Sequence, residues 1–289
     1  MTPNQIYACI DGMPAAASVV EWAAWAAQRL QAPLQLLHVL DEPVALPPVG
    51  DFSGALGFGA QEMLQQQLGA LDEQRSAIAR EAGRHVLESA CERAVQQGVA
   101  GDAMAQGMPY GELVDVLMGL EDSTRLVVLG EHYRTTMPRA VYLSAHVERV
   151  VRSLRRPVLV ATVAPFVAPE RFVVAFDGSD TARKTLDMVA ASPLLRGLPA
   201  LVAMAAPDTP EHQQQLGSAQ AVLRAAGFEA QTALLPGDPE NALPPLLQSQ
   251  GNAVLVMGAY GHSRIRQLIL GSTTTALLRL SPVPVFVLR

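Results

Sequence analysis

The chain has 289 residues, a length that at ~100–200 residues per domain predicts two domains. Hydrophobic residues make up 49% and charged residues 17%, the balance of a globular protein and the reverse of a disordered one. The 21 basic and 27 acidic residues give a net charge of −6, the wrong sign for a protein held by a phosphate backbone, which argues against a nucleic-acid coat.

The opening MTPNQIYACIDG lacks a basic flank followed by a long apolar stretch, so no secretory signal is expected, and its apolar part, residues 6–10, reads as a strand. An alanine-rich helix is predicted over 15–30 and a second strand over 34–40. Residues 41–60, rich in Gly and Pro, read as a surface loop, with a lid or docking element using Phe52 and Phe58 as the sharper alternative. Apolar residues from Met63 to Val95 recur at helical spacing and predict a long helix. Helices follow over 113–120 and 141–154, with strands over 126–129 and 157–162. Short apolar runs alternating with longer helical segments are the pattern of strands buried on both faces of a parallel sheet with right-handed crossovers. No apolar run approaches the ~18 residues needed to cross a bilayer. Cys9 and Cys91 sit in apolar strand and helix patterns and read as buried, inert thiols of a cytoplasmic protein.

Residues 162–170, with Pro165 and Pro169, predict a linker and a division into units 1–164 and 165–289. Beyond it the order returns, with strands over 172–176, 200–204, 230–235, 253–257 and 283–288. Ile10-Asp11-Gly12 matches Phe176-Asp177-Gly178, Gly107-Met108-Pro109 matches Gly237-Asp238-Pro239, and Leu129-Gly130 matches Met257-Gly258. The first copy is longer, most of its excess lying before its third strand. Its part of the chain, residues 1–165, holds 12 arginines against 18 acidic residues, whereas 166–289 holds nine of each sign.

The strongest local signal is Met257-Gly258-Ala259-Tyr260-Gly261, then nine residues, then Gly271-Ser272-Thr273-Thr274-Thr275. Gly258 closes a strand, Gly261 lets the backbone turn toward a ligand, and Gly271-Ser272 opens a helix. A helix N-terminus offers unpaired N–H groups and the positive end of a dipole, so it holds phosphate oxygens without a lysine. That suits a chain whose one lysine, Lys184, lies outside any GxxxxGK[ST] stretch.

Gly258-x2-Gly261-x9-Gly271-Ser272 resembles the nucleotide-binding signature of the universal stress protein family. The strand ending at Asp177-Gly178-Ser179 and the closing Pro282-Val283-Pro284-Val285-Phe286-Val287 are similar to that family's opening and closing elements. The resemblance implies an α/β fold of two tandem doubly wound (Rossmann-like) domains, each a five-stranded parallel sheet of order 3-2-1-4-5. In such sheets ligands bind where the strand order reverses, between the strands that end at Asp177 and Gly258. It also implies ATP, alone or with Mg2+, as ligand: Asp177 on the adenosine part, Met204 near the base, and Gly258, Gly261, Gly271, Ser272 and Thr273 on ribose and phosphates. Arg264, with Arg266, is placed to neutralise outer phosphates or to form a solvated loop face, and His262 reads as a surface residue. Pairing of the fifth strands would make an internal pseudo-dimer, with a homodimer as a further stage.

The first copy departs from the pattern, with Tyr133 at the second glycine, Ser144 at the third and Ala145 at the hydroxyl position. It is expected not to bind a nucleotide in the family's manner, although Asp11 is kept. No HExxH or GxSxG motif is present, so neither zinc nor a serine nucleophile is expected. The leading expectation is an ATP-binding stress or regulatory protein rather than an enzyme. Slow ATP hydrolysis or phosphate transfer is the second, and a nucleotide-free scaffold or small-ligand binder the third.

Overall fold

The computed structural model describes residues 4–41, 58–131, 145–259 and 271–289. The first copy runs β1 (Gln5–Cys9), α1 (Ala16–Leu30), β2 (Leu34–Leu37), α2 (Phe58–Gln96), β3 (Met104–Gly107), α3 (Leu113–Gly119), β4 (Thr124–Gly130), α4 (Ala145–Ser153) and β5 (Val158–Ala161). The second runs β6 (Arg171–Ala175), α5 (Asp180–Ala191), β7 (Ala200–Ala205), α6 (Pro210–Ala225), β8 (Ala230–Leu235), α7 (Pro239–Ser249), β9 (Ala253–Gly258), α8 (Ser272–Leu280) and β10 (Val285–Leu288). The residues 41–60 reading falls largely outside the described residues, but the long helix is there as α2.

The strands form one ten-stranded sheet in the order β3-β2-β1-β4-β5-β10-β9-β6-β7-β8. Each half is parallel and keeps the expected 3-2-1-4-5 order. The halves meet where β5 and β10 pair antiparallel, Val160 opposite Val285, Leu159 opposite Phe286 and Val158 opposite Val287. The central strands are apolar on both faces because helices cover both. Alternation along each strand divides the core into two layers. Ile6, Leu36, Phe172 and Met204 pack under α1, α2, α5 and α6, whereas Leu37, Leu129, Ala203 and Met257 pack under α3, α4, α7 and α8. Pro157 and Pro284 stand just before β5 and β10 and contribute only carbonyls, accepting the N–H groups of Val127 and Leu255.

The register corrects one part of the repeat. Ile6 pairs with Leu34 and Leu34 with Met104, while Phe172 pairs with Ala200 and Ala200 with Ala230. Met104 is thus the counterpart of Ala230, and Gly237-Asp238-Pro239 corresponds to Gly111-Glu112-Leu113 rather than to Gly107-Met108-Pro109. The backbone agrees. Gly111 and Gly237 both have positive φ, 132° and 90°, and Glu112 and Asp238 are both N-caps, of α3 and α7. The Gly-x-Pro likeness at 107 misled because what the two copies share is a glycine at positive φ before the helix, with no need for a proline after it.

Candidate functional site at the strand-order reversal of the second half

The loop leaving β6 is set by its own side chains. Asp177 accepts the Ser179 N–H at 2.9 Å, Gly178 turns the chain at φ +75°, and Ser179 caps α5 by accepting the Ala182 N–H at 3.1 Å. The first copy repeats the turn, with Asp11 accepting the Met13 N–H at 3.0 Å and Gly12 at φ +73°. It has no side-chain cap, since α1 starts after Ala15. Ser179→Ala is therefore expected to cost about 1 kcal/mol, read as a lower urea midpoint.

Gly258, at the end of β9, is pressed against α5. A Cβ there would lie 2.7 Å from Thr185 Oγ1 and 2.8 Å from Thr181 Cγ2. Gly130, at the end of β4, is in the same position against α1, where a Cβ would meet Ala15 Cβ at 2.8 Å and Val19 Cγ2 at 3.1 Å. These glycines let the first helix of each copy close onto the neighbouring strand, so Gly130 is retained in a copy whose other motif positions have changed.

Opposite Asp177 stands the start of α8. Its N-cap is Gly271, which supplies no capping side chain, and its first turn holds no acidic residue. The leading N–H groups and the positive end of the helix dipole thus face the space before α8, which Ser272, Thr273 and Thr274 line. A crevice of about 280 Å³ joins these parts. Asp177, Ser179 and Thr181 bound it on one side, Gly271 to Thr274 on another, and Ala203 and Ala205 lie along the β7 side. Its size is close to the lower end of the range for small-molecule sites, roughly 300–1,000 Å³.

Of the residues expected from sequence, Asp177, Gly258, Gly271, Ser272 and Thr273 line this one crevice. Met204 does not. It is 1% exposed in the opposite core layer, and its strand neighbours Ala203 and Ala205 face the crevice instead, as the twofold alternation of a strand requires. Gly261 and Arg264 lie outside the described residues, as do His262 and Arg266. Sequence reasoning missed Ala203, Ala205, Thr274, Pro239 and Leu243. Period-two counting from the buried Met204 would have found the alanines, while Pro239 and Leu243 reach the crevice through the packing of α7, which no local sequence signal announces.

In the first copy the corresponding helix, α4, begins at Ala145 and carries Glu148 in its first turn. His146 and Val147 stand where α8 has Thr273 and Thr274. Arg149 pairs with Glu112 at 3.3 Å, tying α4 to the start of α3. An acidic first turn already interacts with the helix dipole and repels a further anion. The expectations for Tyr133 and Ser144 fall outside the described residues.

Fold and crevice together define a tandem pair of doubly wound α/β units of which the second presents at its switch point a helix N-terminus led by Gly271. The sequence profile described as the universal stress protein family matches residues 3–162 and again 169–289, and the chain belongs to that family. It is 33% identical over 290 residues to a universal stress protein of Synechocystis sp., covering 99% of this chain and 100% of that one. Its fold is similar to a universal stress protein crystal structure from Archaeoglobus fulgidus, with a TM-score of 0.71 at 19% identity over 100% of this chain and 99% of that one. A Pseudomonas aeruginosa structure, described as a putative universal stress protein, gives 0.63 at 15% identity over 99% and 93%.

Proposed function

We propose that the protein is an ATP-binding regulator of the tandem universal stress type, acting in the cytoplasm through nucleotide held by its second unit, residues 165–289. The first unit, 1–164, is a partner that binds no nucleotide in this manner. The observation that carries the reading is the meeting of Asp177 with the Gly271-led, hydroxyl-rich start of α8 in one crevice. Asp177 is suited to accept from ribose hydroxyls, and the Gly271–Thr274 turn is suited to take phosphate oxygens through backbone N–H groups and the side chains of Ser272 and Thr273. Gly258 keeps β9 and α5 close beneath the ligand, while Gly261 and Arg264 lie outside the described residues and enter this reading from the sequence motif alone.

Asp177 is the one ionisable side chain among the described lining residues. Among the described residues no group of three His, Cys, Asp or Glu side chains is placed to hold a metal ion, so any Mg2+ would arrive on the phosphates of the nucleotide. No helix among the described residues is long and apolar enough to cross a membrane. Competition among ATP, ADP, AMP and cyclic nucleotides for the purified protein tests the reading. ATP should bind most tightly, with phosphate release far slower than exchange. Failure of every adenine nucleotide to bind would contradict it.

A further inference from the structure

The seam between the halves is held by more than strand pairing. Antiparallel contact between β5 and β10 extends over three residue pairs. Beside it, Trp22, Trp25 and Arg29 follow one another along a face of α1 at helical spacing. Trp22 packs edge-on to Phe166, which lies between the halves, at 5.0 Å and to Trp25 at 5.3 Å. The Arg29 guanidinium stands 5.7 Å from the Trp25 ring. Its Nε donates to the Leu194 carbonyl at 2.6 Å and an Nη donates to the Arg196 carbonyl. Those carbonyls belong to the turn that leads into β7, at the opposite end of that strand from the crevice.

The second half returns a contact by a different route. Arg289 donates to the Arg152 carbonyl at 3.0 Å and to the Leu154 carbonyl, placing a cation at the carboxyl end of α4. Neither arm is reciprocated by the repeat. The register makes Met188, Ala191 and Leu195 the counterparts of Trp22, Trp25 and Arg29, and Thr162 the counterpart of Arg289. None of these can donate a planar fork of N–H groups. A guanidinium spanning two carbonyls fixes direction as well as distance, and the aromatic ring beneath it limits its freedom.

We propose that the Arg29–tryptophan cluster is an asymmetric clamp that makes the two unlike halves one cooperative unit, with the first half as the fixed docking partner of the second. Two domains of this length unfold separately unless their interface couples them.

The test is urea unfolding of the full chain, followed by tryptophan fluorescence and by circular dichroism. The chain's two tryptophans both sit at the seam, so fluorescence reports the seam while dichroism reports all helices. In the unmodified chain the two transitions should superimpose. In Arg29→Ala the fluorescence midpoint should fall roughly 0.5 M or more below the dichroism midpoint, and Arg29→Lys, which keeps the charge without the fork, should do the same. Transitions that stay superimposed in Arg29→Ala, whether or not their shared midpoint moves, would overturn the proposal. So would separate transitions in the unmodified chain, or full restoration by lysine.

Discussion

Gly271→Val is expected to weaken ATP binding at least about 100-fold, equivalent to roughly 2.7 kcal/mol, while the protein stays folded. Gly271 adopts φ −56° and ψ 139°, a conformation open to any residue. The nearest atom to an added Cβ is Thr274 Oγ1 at 3.7 Å, an ordinary contact. The folded state therefore accepts the side chain, apart from a poorer N-cap that lowers the thermal midpoint by no more than about 4 °C. Its two methyl groups would occupy the space beside the first turn of α8 that the proposed site gives to phosphate oxygens. Each charge-assisted hydrogen bond lost there is worth about 1.5–3 kcal/mol, so one or two suffice for the effect. Calorimetric titration beside a thermal melt checks both halves of the expectation, and an affinity within about threefold of the original would place the phosphates elsewhere.

Gly258→Val should do the opposite, lowering stability by about 3 kcal/mol through overpacking. The Cβ alone would overlap Thr185 Oγ1 and Thr181 Cγ2 and stand 3.4 Å from the Thr181 carbonyl oxygen. Thr185 is 2% exposed, and its hydroxyl donates to that same carbonyl at 2.9 Å, so it cannot turn aside without losing a bond. A lower urea midpoint at unchanged slope is the expected result, and Gly130→Val should behave alike against Ala15 and Val19. An unaffected midpoint would show that α5 moves away freely, which its packing against β9 argues against. The two valine variants thus separate a glycine of access from a glycine of packing, two roles that a spacing such as G-x2-G-x9-G merges.

The contrast marks how far the sequence could be read. Alternation of short apolar runs with helices, and the return of Asp-Gly after the first strand of each copy, were enough for two α/β units, whereas their strand order came only from the family resemblance. The first depends on local pattern, which a single chain displays; the second is a relation between distant segments, which it does not. The internal duplication was legible too, but its alignment at the third strand followed a glycine and a proline at 107–109 when the geometry follows the positive-φ glycine at 111. Strand register decides that point, and register is a pairing between distant segments.

At the site, the glycines and hydroxyls announced themselves by composition and spacing. Ala203 and Ala205 could not, because small apolar residues in a buried strand look alike whether they face a core or a crevice. Met204 was placed near the base for its position at a strand end, and the alternation of β7 turned it the other way. The division of charge acquires a local counterpart in the structure. The copy that carries the net negative charge also holds Glu148 at the start of α4, whereas the neutral copy leaves the start of α8 without an acid. An anionic ligand meets less repulsion at the second.

The stoichiometry of ATP on the intact chain tests this account most directly. Native mass spectrometry across a titration should show a single nucleotide per chain, lost in Gly271→Val and retained in a chain altered at the start of α4. Two equivalent nucleotides per chain, or a single one that survives Gly271→Val, would contradict it.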